Sequence, residues 1–362
     1  MIIDQIDVYH LRMPMVAPWV TAFGTQTAID SVMVRMQSQG LVGWGESAPY
    51  ERPEFSPEWA EGAAGLLRAQ LAPALTGEDI TSGNDLQARL QHFKGNYFAK
   101  AALDNAWWDL AAKQVGQPLW QWLGGREQSV AVGADIPVLA DTNALLAAVD
   151  SAVQAGFERV KLKFRRDSGI ERLLKVRETF PDLIFHVDCN SGFTLADLPL
   201  FQQLDSLNLA MIEQPLAFDD LVDHARLQER LTTPLCLDES LVSPRSASQA
   251  IALGACGWFN LKPGRVGGLT NALAIYELAQ AANIPCWVGG MLESAVGQGT
   301  ALALAASREM SYPADIFPSD RLYANDLASP SITLSGRARI DAPLAPGHGF
   351  TPLPEQLARC KV

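Results

Sequence analysis

Short apolar runs that each close on a charged residue recur through the middle of the chain: ERVKLK, LIFHVD, NLAMIE, TPLCLD and GWFNLK. The closing residues Lys163, Asp188, Glu213 and Asp238 stand 25 positions apart, and Lys262 follows 24 later. One strand, one helix and two short loops take about 25–35 residues, so the interval is the length of a βα unit. The alternation extends on both sides. VAVGADIPV reads as a first strand, FERVKLKF as the second, the next four runs as strands three to six, IPCWVGG as the seventh and ADIFPSD near residue 315 as a weaker eighth. This is the pattern of a TIM-type barrel, whose active sites lie at the C-terminal ends of the strands.

The N-terminal part has another rhythm. Residues 1–13, 29–37 and 41–46 alternate apolar and polar positions, as a half-covered antiparallel sheet does. Between the first two lies PWVTAFGTQT, from Pro18 to Thr27, too long for a tight hairpin and readable as a lid or as a plain connection. Residues 57–73, 83–93 and 98–115 read as helices, with Trp107 and Trp108 as domain packing. Three strands followed by helices make a separate α+β unit, with a junction at Leu123-Gly124-Gly125-Arg126. The proline- and glycine-punctuated tail can run back to it.

Composition narrows the partners. The chain has 362 residues, enough for a barrel of about 250 residues and a small extra domain. A net charge of -12 excludes nucleic acid as a natural partner, because phosphate binding wants a basic surface. No apolar run approaches the ~20 residues that span a membrane, and the first residues lack the pattern of a signal peptide. The cysteines (Cys189, Cys236, Cys256, Cys286 and Cys360) are odd in number and form no CxxC, so a reducing, cytoplasmic location is expected. Cys189 reads as a small filler.

Barrel closure would bring Asp188, Glu213 and Asp238 to one mouth, a hard oxygen site for a divalent metal such as Mg2+. A carboxylate substrate would complete the coordination, because abstraction of its α-proton needs the developing enediolate to be stabilised. Lys161 and Lys163, two apart on a strand, share a face. Repulsion and desolvation would lower their pKa values and make Lys163 a general base tuned by the deeper Lys161. Lys262, across the barrel, would either stabilise charge or act as a second acid/base. Glu239 and Asn190 are candidate hydrogen-bond partners of the ligands, and His186 a hydrogen-bonded core residue. Arg265 either depresses the Lys262 pKa or is a solvated loop residue. Gly290, Met291, Glu293 and Ser294, after strand seven, stand where substrate contacts belong.

The pieces KLK (161–163), VDCN (187–190), IEQP (212–215), LDES (237–240) and NLKPGRVGG (260–268), with GWGESAP (43–49) and AKAALDNAWWDL (99–110), resemble the enolase superfamily, in its muconate-lactonizing subgroup. The resemblance implies an α/β fold, a modified TIM barrel (β/α)7β over residues 126–339. Residues 1–125 would form an α+β capping domain, with about 340–362 returning to it. It also implies one catalytic Mg2+, with Mn2+ able to replace it, on Asp188, Glu213 and Asp238. Lys163 becomes the acid/base, Lys262 the enediolate stabiliser or second acid/base, and Thr21–Thr27 a closing loop whose Thr21, Phe23 and Gly24 meet substrate. GGMLESAVG is most similar to the o-succinylbenzoate synthases and N-acylamino acid racemases. The first dehydrate 2-succinyl-6-hydroxy-2,4-cyclohexadiene-1-carboxylate in menaquinone and phylloquinone biosynthesis. KFRRD (163–167) departs from the racemases' K-I-x-P-G form and tilts the reading toward the synthase. Dipeptide epimerases carry an Asp-x-Asp pair where this chain has Met291 and Glu293; muconate cycloisomerase is more distant, and a non-catalytic barrel leaves the lysines unexplained. The partner expected is a small-molecule carboxylate; a homo-oligomer is left open.

Overall fold

The computed structural model describes all residues, 1–362. Strands β1 (Gln5–Thr21), β2 (Gly24–Ser38) and β3 (Leu41–Ser47) form an antiparallel meander. The segment read as a long loop is a hairpin instead. After an irregularity between Pro14 and Trp19, pairing resumes at Trp19–Gln26 and continues through Val20–Thr25 to Thr21–Gly24. Only Ala22 and Phe23 remain for the turn. The small and polar residues that looked loop-like are paired along the backbone.

Helices α1 (Ala60–Leu66), α2 (Gly83–Leu90), α3 (Tyr97–Gln114) and α4 (Leu119–Trp122) follow. Helix α3 is buried on nearly every side, with β2 and β3 on one flank and the barrel on the other. Contact with β3 is close because Gly43 and Gly45 face it. A Cβ on Gly45 would stand 2.3 Å from the Ala102 carbonyl and the Ala106 nitrogen. Trp107 is buried among the cap residues, and Trp108 donates its indole N–H to Thr270 Oγ1 of the barrel at 2.8 Å.

The run VAVGADIPV is two strands. β4 (Ser129–Ala131) pairs antiparallel with a late strand, and β5 (Ala134–Ile136) opens the barrel. The glycine between them, Gly133, packs on the Arg159 guanidinium, where a side chain would clash. Parallel strands β6 (Arg159–Lys163), β7 (Ile184–Asp188), β8 (Ile212–Glu213), β9 (Leu235–Leu237), β10 (Trp258–Leu261) and β11 (Cys286–Val288) continue the sheet in sequence order. Helices α5 (Thr142–Ala155), α6 (Ile170–Thr179), α7 (Leu198–Leu204), α8 (Leu221–Gln228), α9 (Pro244–Leu253), α10 (Leu269–Ala281) and α11 (Ala295–Ser307) alternate with them. Their ends carry the expected caps. Asp141 accepts from Ala144 N ahead of α5, and Ser243 does so from Ser246 N ahead of α9, with glycines in the left-handed region after both helices.

The expected eighth strand is not a regular one. Ala314 makes a single parallel bridge to Val132, and Asp315 N donates to Val288 O at 2.9 Å. These bonds close the barrel with irregular backbone, giving the (β/α)7β form. After α12 (Ser319–Leu322) come β12 (Ala328–Ser329), β13 (Arg339–Asp341), which pairs with β4, β14 (Thr351–Pro352), which pairs with β12, and α13 (Pro354–Cys360). The tail touches the cap, with Val362 N donating to His10 O at 3.0 Å. No helix is long and apolar enough to cross a membrane.

Candidate active site

The constant interval in the sequence is a register in the sheet. Lys163 pairs with Asp188, and Asp188 with Glu213, side by side across adjacent strands. The carboxylates of Asp188, Glu213 and Asp238 lie within 4.8 Å of one another and are buried, an arrangement that could hold a metal ion. Each is fixed by several groups. Asp188 accepts from Lys163 Nζ at 2.6 Å and from Asn190 N at 3.0 Å. Glu213 accepts from Asn260 Nδ2 at 2.7 Å and faces His186 Nε2 at 3.2 Å. Asp238 accepts from Lys262 Nζ at 2.7 Å and pairs with the Arg265 guanidinium. His186 is thus a core residue, held also by Tyr312 at 3.0 Å.

The lysine electrostatics run opposite to expectation. Burial lowers the pKa of Lys161, but Asp135, Asp315, Glu213 and Asp188 outweigh it and hold the pKa well above the ordinary value. Burial likewise works against the charged Lys163, and Asp188 overcomes both that and repulsion from Lys161, so its pKa is also raised. The pair of lysines was visible in the sequence; the ring of acids around it was not. Asp315 shows the other side of the pairing. Burial alone would raise it, yet Arg159 and Lys161 hold it below the usual carboxylate range. Arg265 is buried, not solvated. Its guanidinium serves Asp238 and the carbonyls of Leu241 and Asn260, and burial pushes it down to about 9. Burial and the nearby Asp188 push Glu239 up to about 8; its Oε1 accepts from Asn190 Nδ2 at 3.3 Å.

Lys161, Lys163 and Lys262 open on one small cavity of about 30 Å3. Thr21, Phe23, Asn190 and Gly290 also line it. Gly24, Met291, Glu293 and Ser294 do not. The Glu293 carboxylate accepts from Met291 N at 2.6 Å, and Ser294 is engaged with Glu46 and caps α11. Sequence reading missed Asp135 and Asp315, which hold Lys161, and Trp19, Tyr50, Phe55 and Phe317, which wall the cavity. A signal existed for the two acids, since the same three residues, ADI, occur at 134–136, which is β5, and at 314–316, where irregular backbone closes the barrel. The walls had none, because Tyr50, Phe55 and Phe317 come from irregular segments and Trp19 from the hairpin end that reads as a loop. From the cap, Ala22 at the hairpin tip stands where a Cβ on Gly192 would meet it at 3.3 Å, and Phe23 stacks on Tyr50 at 6.1 Å.

A parallel barrel with an acid triad and opposed lysines at the strand ends, under an α+β cap, defines a class of protein. The family comparisons agree. Residues 5–124 match the mandelate racemase / muconate lactonizing enzyme N-terminal domain, and residues 144–356 match the enolase C-terminal domain-like family. The chain belongs to the enolase superfamily. It is 39% identical over 350 residues to an o-succinylbenzoate synthase of Geobacillus kaustophilus, covering 96% of this chain and 93% of that one. It is 38% identical over 353 residues to an N-succinylamino acid racemase of Thermus thermophilus, covering 98% and 92%. A solved enolase superfamily member from Listeria innocua superposes with a TM-score of 0.96 at 35% identity, covering 100% and 98%.

Proposed function

We propose that the chain is an Mg2+-dependent o-succinylbenzoate synthase. The carrying observation is the pair of buried lysines, Lys163 on β6 and Lys262 just past β10, both lining one cavity beside the acid triad. The donor set fits the metal: three buried carboxylates, all oxygen, with no cysteine or histidine among them. Asp188, Glu213 and Asp238 would hold it. Enolase-superfamily chemistry uses such an ion to stabilise an enediolate as it forms. In the same reading residues 1–125, with about 340–362 returning to them, are the cap, and 126–339 the barrel.

This chain's residues then have distinct tasks. Asp188 favours the charged form of Lys163, and a cation held on that carboxylate would weaken the contact; in its neutral form Lys163 takes the α-proton of the substrate carboxylate and returns a proton to the departing hydroxyl on the same face, so that water leaves in a syn elimination. Lys262, on the opposite side and paired with Asp238, offsets the negative charge on the carboxylate oxygens. Lys161, locked between Asp135 and Asp315, fixes the charge beneath Lys163. Thr21 and Phe23 close the cavity from the cap and exclude water.

The test is spectrophotometric. Wild-type protein with Mg2+ should consume 2-succinyl-6-hydroxy-2,4-cyclohexadiene-1-carboxylate, EDTA should stop it, and Lys163→Ala should abolish it. An inert wild-type protein would sink the synthase reading. A second reading is N-succinylamino acid racemase, favoured by the presence of lysines on both sides of the cavity and by the mixed names of the relatives. It requires solvent deuterium to enter the α-carbon of both enantiomers, and Lys262→Ala to stop exchange from only one of them.

A further inference from the structure

A second, larger cavity lies across Phe55 from the lysine cavity, and Glu239, next to Asp238 in the chain, lines it. It is a cleft of about 490 Å3 between the cap residues Ser56–Glu58 and Asn96–Phe98 and the barrel loops that follow β8 and β9. Phe55 lines both the cleft and the lysine cavity, and Lys262 Nζ lies 5.4 Å from its ring centroid, so the partition is one side chain thick there.

Three carboxylates line the cleft: Glu58 from the cap, Asp219 past β8 and Glu239 past β9. Its single cationic residue, Arg265, is turned away to Asp238 and two backbone carbonyls. Glu58 is committed, accepting the N–H groups of Phe98 and Ala99 at the start of α3. Glu239 is not. It is 4% exposed, its Oε1 reaches Asn190, and its Oε2 has no hydrogen-bond partner. A buried carboxyl oxygen without a hydrogen-bond partner is costly to maintain and points to a cation or polar group that visits it. Asn190, its hydrogen-bond partner, and Asp238, its neighbour in the chain, are both part of the site next door.

Size separates the two possible approaches to the triad. A magnesium ion sheds water reluctantly and travels with about six waters. At roughly 30 Å3 per water the hydrated ion needs roughly 180 Å3. With the hairpin down, the cleft accommodates that volume, whereas the lysine cavity, at about 30 Å3, does not. We infer that this cleft is the route by which a hydrated divalent cation reaches the triad, with Glu239 as the carboxylate that receives it and passes it to Asp238. The inference rests on the metal-binding reading above. It leaves the capping hairpin free to serve the organic substrate, so metal and substrate use different doors.

The experiment follows Mn2+ association with the metal-free full-length protein by rapid-mixing electron paramagnetic resonance of the free ion. Two exposed positions on the cleft rim are changed, Asp219→Lys and Gln249→Trp; neither belongs to the triad or the lysine cavity. The charge reversal should slow association by about tenfold at low salt, and added salt should narrow the difference. The tryptophan should slow association and dissociation together and leave the Kd within about twofold, as a partial plug on a path does and a damaged site does not. Rates indifferent to both changes, with Mn2+ still binding, would overturn the route while leaving the metal site standing. Absence of Mn2+ binding by the wild-type protein would overturn the route together with the reading beneath it.

Discussion

At the scale of single residues, neighbours rather than residue type separate the roles of the charged groups. Lys161 is clamped by Asp135 and Asp315 at the barrel floor, Lys163 leans on Asp188, and Lys262 leans on Asp238. Removing the proposed acid/base should therefore damage chemistry more than binding: Lys163→Ala is expected to lower kcat by about 10^3 with KM little changed, measured by diene consumption. Asp315→Asn tests the floor. It strands the fully buried Arg159 and loosens Lys161, so it should cost about 3–5 kcal/mol, read from the denaturant midpoint. The positions of the lysines and the carboxylates were legible in the sequence because strand alternation and a constant interval put them in register. The charge on Lys161 was not. It is held by Asp135 and Asp315, which lie near the chain positions where the barrel begins and ends and meet only through closure.

At the scale of elements, the cap is tied to the barrel by carboxylates that cap barrel helices. Glu46 of β3 accepts from Ser294 N and Gly297 N at the start of α11, and Asp104 of α3 accepts from Thr270 N at the start of α10. Burial pushes Glu46 up to about 7. An acid whose folded pKa is raised gives stability that is fully present below its unfolded value, near 4.5, and is lost as the pH rises through about 7. In EDTA, the thermal midpoint should carry a downward component over that window, and Glu46→Gln should flatten it; an unchanged slope would refute the assignment. The α3–β3 contact makes a sharper prediction. Gly45→Ala drives a methyl into helix backbone on α3, so a loss of about 1–3 kcal/mol or more is expected in thermal unfolding. The sequence announced α3 through its apolar spacing. It hid the β1–β2 hairpin, because Gly, Thr and Gln there satisfy the backbone without any apolar alternation.

At the scale of the whole molecule, the barrel was readable because its repeat is a covalent length, and the eighth strand was faint because its backbone is tied to the neighbours at single points. The cap loops that wall the cavity carry no periodicity, so their contacts with the site emerge only in three dimensions. Filling the triad should steady the entire fold. At a hundred times its Kd, Mg2+ should add about 2.7 kcal/mol to stability, seen as a higher thermal midpoint that Asp238→Asn removes. The hairpin tip beside Gly192 has a different kind of consequence. With the tip down the lysine cavity is about 30 Å3, too small for an organic acid, so a substrate would enter when the tip is lifted. If about one molecule in a hundred is lifted, every substrate binds about a hundredfold more weakly than its contacts allow. Evolution can then retune apparent affinity for all substrates at once by changing how often the hairpin rises, leaving every catalytic contact as it is.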